Sequence, residues 1–116
     1  MKKLGLTVAL FLTCVPIFAA ADNALAQSIT VLSATYGRNC GAPWGNVTGA
    51  LYVCNNRQEC RYRIDYRNIG DPAKDCPKEF RAAWRCDNYP APPTRHSGYV
   101  SPEAGFGDRS IYLSCP

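Results

Sequence analysis

Six cysteines fall in the ninety residues that follow position 26, and nothing else in this chain limits its possible folds so strongly. They are Cys40, Cys54, Cys60, Cys76, Cys86 and Cys115. A domain of that length buries only ~60% or slightly more of the surface its unfolded chain exposes, so its core alone leaves it marginal. An even set of cysteines in a small exported chain reads as a disulfide framework, here of three bridges. The metal alternative is poor: there is no close C-x-x-C pair and only one histidine, His96, so no metal or other cofactor is expected.

Export itself is read from residues 1–26. Lys2 and Lys3 open the chain, an apolar run extends from Leu4 to Ala21, and Ala24-Leu25-Ala26 precedes Gln27. This is the layout of a secretory signal peptide, with cleavage before Gln27 or, alternatively, after Ala21. The run is close to membrane-spanning length, and a lipid anchor would require Cys14 as first mature residue, but Thr13 suits that poorly and apolar sequence continues past it. The expectation is a secreted or periplasmic protein with no stable membrane anchor. Without Lys2, Lys3 and Asp22, eleven basic and eight acidic side chains remain, a net charge of +3.

Hydrophobic alternation places the strands. Cys60, Tyr62 and Ile64 share one face against Arg61, Arg63 and Asp65, as in a half-buried antiparallel strand. The same pattern sets Phe80, Ala82, Trp84 and Cys86 against Glu79, Arg81, Ala83 and Arg85, and Ile111, Leu113 and Cys115 against Ser110, Tyr112 and Ser114. Residues 29–36 form a further strand, with Ile29, Val31 and Ser33 on one side. In residues 47–54, Val47, Leu51 and Cys54 fit a helix and Val47, Leu51 and Val53 a strand, so periodicity leaves both open. Asn46 is a candidate cap for such a helix. Residues 87–107 hold four of the nine prolines and read as a loop. The fold class is therefore α+β, mostly β: one small disulfide-stapled antiparallel domain over 27–116 with at most one or two short helices.

Several motifs now stand in order: ATYGR at 34–38, the C-x5-C clip CNNRQEC at 54–60, ten residues, Asp71-Pro72, Lys78, and a closing aromatic-x-Cys at Trp84–Cys86. Together they resemble the rhamnose- or galactose-binding lectin domain first described from sea urchin eggs, with its ANYGR, C-x5-C, DPC, KYL and Y-x-C motifs. Two departures stand out. Ala73 occupies the cysteine position of DPC, with Cys76 three residues later, and the family's early cysteine-bearing strand is absent. The terminal SIYLSC resembles that strand, supplied from the other end of the chain. The resemblance implies the pairs Cys54–Cys60 and Cys86–Cys115, and with them Cys40–Cys76. Reducing all three is expected to unfold the protein.

The resemblance also implies a sugar site. Lys78 matches a family lysine that holds sugar hydroxyls, the alternative being a solvated charge at a strand end. Tyr36, Arg38 and Asp71 carry the most recognisable family letters, and a structural role suits each as well. Asp75 stands where a glycine lets backbone approach the ligand. No residue matches the family's glutamate, so Glu103 or Asp108 would have to supply a carboxylate. Trp44, in the turn APWGN, is the aromatic on which a sugar face could stack, whereas Trp84 points inward as core. The outward Arg61, Arg63, Arg81 and Arg85 would form a basic face if their strands were neighbours; a solvated face partly neutralised by Glu59, Asp65 and Glu79 is the plainer reading. No nucleic-acid partner is expected. His96 with Ser97 makes no catalytic arrangement by adjacency alone, so no enzyme activity is expected either. Asn46-Val47-Thr48 has the glycosylation pattern. The expected function is non-catalytic binding of a glycan or cell-surface polysaccharide, the alternative being a protein-interaction or structural module that has lost the sugar site.

Overall fold

The computed structural model describes residues 27–116, together with Gly5 and Ala9; the expected signal peptide and Cys14 lie outside the described residues. Five strands form two antiparallel sheets. The first has the order β1-β3-β4, with β1 at Ser28–Tyr36, β3 at Phe80–Asp87 and β4 at Thr94–Val100. The second pairs β2, Glu59–Arg63, with β5, Ser110–Ser114. Two short helices, α1 at Thr48–Leu51 and α2 at Tyr66–Ile69, complete the set. The inner faces of both sheets feed one buried cluster that includes Ile29, Tyr36, Phe80, Trp84, Ile111 and Leu113. No helix among the described residues is long and apolar enough to cross a membrane.

The alternation in β2, β3 and β5 predicts their buried faces well, but β1 departs from its pattern. Between Val31 and Ser33 the register against β3 slips, leaving Leu32 as an extra residue. Because side chains alternate with period two, the bulge exchanges the faces beyond it. Ala34 and Tyr36, rather than Ser33, therefore continue the buried row begun by Ile29 and Val31. This slip is what carries the Tyr36 side chain inward.

Residues 47–54 are helical: α1 runs into a single 3-10 turn at Tyr52–Cys54. Val47, Leu51 and Cys54 are buried while Val53 is exposed, the distribution expected of the helical alternative. Asn46 does not cap α1, whose capping position is Val47. Instead residues 46–57 close the open edge of β1. Asn46 exchanges two hydrogen bonds with the backbone of Tyr36, at 2.9 and 2.8 Å. Ala34 N donates to Thr48 Oγ1 at 3.0 Å and Val31 N to Asn55 Oδ1 at 2.7 Å. The amide and carbonyl of Ile29 bond Arg57 and Asn56. An uncovered edge strand is a template for pairing with another chain, and here it is sealed.

The loop expected over 87–107 contains β4, which pairs with β3 along its whole length. Its outward positions Arg95, Ser97 and Tyr99 are exposed, and its inward ones ahead of the buried Val100 are Thr94, His96 and Gly98, so its sequence carries no apolar alternation. His96 lies in this strand, stacked on Trp84 at 6.0 Å. The arginines do not form a joint face, because β2 and β3 belong to different sheets. Each finds its own partner: Arg81 pairs with Glu79, Arg85 with Asp87, Arg63 with Asp108, and Arg61 lies over the Tyr112 ring.

Three disulfides tie these parts together. Cys40–Cys76 and Cys86–Cys115 span 36 and 29 residues, and Cys54–Cys60 closes the short clip before β2. These are the pairs that the resemblance implies. In the chain-entropy view each of the two long loops contributes ~3–4 kcal/mol, on the scale of a small domain's entire stability. Cys86–Cys115 joins the two sheets, and Cys40–Cys76 fastens the segment before Lys78 to the turn after β1.

Candidate functional site

Lys78 is the most buried charged side chain among the described residues; its neighbour Glu79, expected on the solvated face, is buried as well and pairs with Arg81. Lys78 is 2% exposed, so it is not a solvated strand-end charge. Its backbone is held on both sides: Ala104 N donates to Lys78 O at 2.9 Å, and Glu79 N donates to Asn39 Oδ1 at 3.0 Å. The alkyl stem passes over Gly37, where φ is +89° and a Cβ would meet Lys78 Cγ and Cδ at 3.0 Å. That is a physical reason for the glycine in ATYGR: it supplies both the left-handed turn and the room for the lysine.

The ammonium meets four acceptors. Cys76 O lies at 2.7 Å, Ala73 O at 3.0 Å, Asp71 Oδ1 at 2.8 Å and Glu103 Oε1 at 3.1 Å. An ammonium has three protons, so not all four contacts can be hydrogen bonds. The two carbonyls accept hydrogen bonds, and Asp71 and Glu103 face the ammonium as ion-pair partners. The Tyr36 ring lies 5.4 Å from Nζ, adding a cation–π contact.

Glu103 is equally committed. Oε1 accepts from Lys78 N at 3.0 Å and pairs with Nζ at 3.1 Å, and Oε2 accepts from Tyr36 Oη and Gly105 N, both at 2.7 Å. Of a carboxylate's roughly four lone-pair positions three accept hydrogen bonds, and the ammonium faces the carboxylate as well. Burial works against its ionisation, but the two backbone amides, the phenol and the ammonium outweigh it and hold the carboxyl below the ordinary glutamate range. For Lys78 burial likewise opposes the charge, and Asp71 with Glu103 more than offsets it, raising the ammonium pKa. The Tyr36 phenol is pushed up, first by burial and then by its bond to the Glu103 anion.

An open cleft of about 320 Å³ lies against this cluster, lined by Asp71, Asp75, Pro77, Lys78, Glu103 and Phe106. Asp75 adopts φ +63°, the left-handed conformation a glycine takes readily and aspartate tolerates better than most residues. Phe106 is 45% exposed and stacks on Tyr66 at 4.3 Å, which fixes one aromatic face beside the cleft. The cleft's accessible polar groups are acceptors: Asp75, and the parts of Asp71 and Glu103 that remain 23% and 21% exposed.

Of the residues singled out in the sequence, Tyr36, Asp71, Asp75, Lys78 and Glu103 thus converge, with the phenol beneath the carboxylate and the lysine between two acids. Arg38 and Trp44 do not line the cleft. They meet elsewhere, the Arg38 guanidinium lying 5.0 Å over the Trp44 ring. Asp108 is engaged by Arg63 at the surface. Phe106, Gly105 and Asn39 were not singled out in the sequence, and Asn46 only as a cap and a glycosylation pattern, because the backbone groups that Asn46 and Asn39 clamp lie 10 and 40 positions away. The chain matches no protein-family model, no curated protein and no solved structure.

Proposed function

We propose that this protein is an exported, non-catalytic binding module whose cleft beside Lys78 receives a neutral sugar end group. The observation that carries the reading is the acceptor-rich cleft itself. Asp71 and Glu103 pair with one buried ammonium and Asp75 adds a third carboxylate to the lining, which leaves an excess of negative charge facing an opening bounded by the Phe106 ring. Hydroxyls of a sugar are donors for such carboxylates, in the stronger charge-assisted kind of bond, and the apolar face of the ring can lie on Phe106. The left-handed Asp75 exposes backbone where the lectin resemblance places a close approach to ligand. Lys78 and Glu103 act in this reading as the frame that orients Asp71 and the 73–76 loop, because neither has bonding capacity to spare. Three disulfides suit an oxidising compartment, in keeping with the leader-like first 26 residues.

The saturation of Glu103 and Lys78 also favours a second reading, in which the charge cluster is wholly structural and the module works through protein contact. A glycan array probed with the folded mature protein separates the two. Saturable binding, competed by free monosaccharide and weakened in both Asp75→Ala and Phe106→Ala with unchanged circular dichroism, is expected. Silence across the array refutes the carbohydrate reading and leaves the protein-contact one.

A further inference from the structure

Trp44 and the outer face of the three-stranded sheet are unused by the cleft, yet they are organised. Cross-strand register lays three rungs across that face: Thr35, Arg81 and Tyr99; then Ser33, Ala83 and Ser97; then Thr30, Arg85 and Arg95. The middle rung is small throughout, so the face sinks between two arginine-bearing rungs. The resulting groove, of about 210 Å³, is lined by Ser33, Ser97, Arg81, Arg95 and Trp44. Sites that enclose drug-sized ligands hold ~300–1,000 Å³, so this one suits a single ring.

Two features distinguish it from an ordinary solvated sheet face. Arg85 and Arg95 stand directly opposite each other, an arrangement of like charges that destabilises a sheet. Asp87 neutralises Arg85, but Arg95 has no carboxylate within ion-pair distance among the described residues. A charge that merely protected the edge strand would serve as well at positions not facing an arginine. Trp44 is 62% exposed, with its ring steadied by Arg38 at 5.0 Å. An exposed indole held in place beside an unneutralised guanidinium and a hydroxyl-bearing floor has the complement of one chemical class: a ring with an apolar C–H face, hydroxyls and a carboxylate.

We propose that this groove is a second binding site, specific for an acidic sugar residue such as a hexuronate, which stacks on Trp44 and places its carboxylate on Arg95. It is independent of the cleft at Lys78, which faces the ligand with acceptors and would repel the same anion. The module would then hold a glycan carrying neutral and acidic residues at two places.

The test is a titration of the folded mature protein, followed by amide and indole chemical shifts, with glucuronate, glucose and acetate as separate probes. Glucuronate is expected to shift Trp44 Nε1–H and the amides of Ser33, Ala83, Arg95 and Ser97, leaving Asp75 and Phe106 unmoved. Glucose should not shift them, and acetate should do so at least about tenfold more weakly, one lost stacking contact being worth about that factor. Arg95→Gln and Trp44→Ala, both exposed and each checked for an unchanged spectrum elsewhere, should each weaken glucuronate binding by at least about tenfold. Equal response to acetate and glucuronate, insensitivity to Arg95→Gln, or shifts confined to the cleft would each overturn the proposal.

Discussion

Replacing Glu103 with glutamine probes the buried charge cluster most directly, because the side-chain shape is kept while one oxygen becomes an amide nitrogen. The carboxylate accepts from Lys78 N, Tyr36 Oη and Gly105 N and pairs with Lys78 Nζ. In its least costly orientation glutamine keeps its oxygen on Lys78 and turns its NH2 toward Tyr36 and Gly105. The phenol can rotate to accept, but the buried Gly105 amide cannot, and losing a partner costs such a group ~1–3 kcal/mol. Lys78 keeps Asp71 as its only anion, and its bonds to residue 103 fall from the charged to the neutral class, roughly 1 kcal/mol more. The expected loss is about 3 kcal/mol, which for a domain of this size lowers Tm by on the order of 12–24 °C. Thermal unfolding of the oxidised protein at pH 7, followed by near-UV circular dichroism, measures it. The pH dependence supplies a second check. A carboxyl whose folded pKa is depressed contributes stability that is present above the unfolded value, ~4.3, and lost as pH falls through the lower folded value. Wild type and variant should therefore converge on acidification. A Tm change below ~4 °C at pH 7, or a gap that persists unchanged to pH 2, would refute the assignment of Glu103 as an ionised, fully bonded hub.

Gly105→Ala should destabilise by about 1–3 kcal/mol, the usual cost of overpacking, since a Cβ at this position runs into the Tyr36 phenol; urea midpoints report it, and a midpoint equal to wild type would show that the 103–106 loop gives way freely. At alkaline pH, Tyr36 and Lys78 act in the same direction. Both have raised folded pKa values, so their contributions are complete below the unfolded values of ~10 and are lost as pH rises beyond them; denaturant midpoints should fall above pH 10, and more steeply than in Tyr36→Phe. Removing the 36-residue bridge with Cys40→Ser/Cys76→Ser should cost ~3–4 kcal/mol and loosen the 73–76 carbonyls that hold Lys78, read as faster amide exchange there; protection equal to wild type would count against that role. Asn46→Ala should expose the β1 edge at Tyr36 and lower stability by about 1 kcal/mol for the pair of partly solvated bonds.

How much of this was readable in the linear chain differs by element. Alternation in 60–64, 80–86 and 111–115 names the inward residues of β2, β3 and β5, because each strand has one wet and one dry face. It misses β4, whose inward positions ahead of Val100 are Thr94, His96 and Gly98, so no apolar row marks the face packed on Trp84 and Ile111. It assigns the wrong residues beyond Leu32 in β1, because a bulge depends on what the partner strand requires.

The contrast is sharpest at the site. The even cysteine set and the short, strand-rich pattern determine a stapled β domain, since a chain of this length has few other ways to bury enough surface. That Lys78 is buried rather than solvated was decided only by tertiary structure. A lysine is charged wherever it occurs, and whether that charge can leave water depends on acceptors at Asp71, Ala73, Cys76 and Glu103 arriving together. Asp71, Ala73 and Cys76 come from the segment before Lys78, which the Cys40–Cys76 bridge fastens, and Glu103 comes from the loop between β4 and β5.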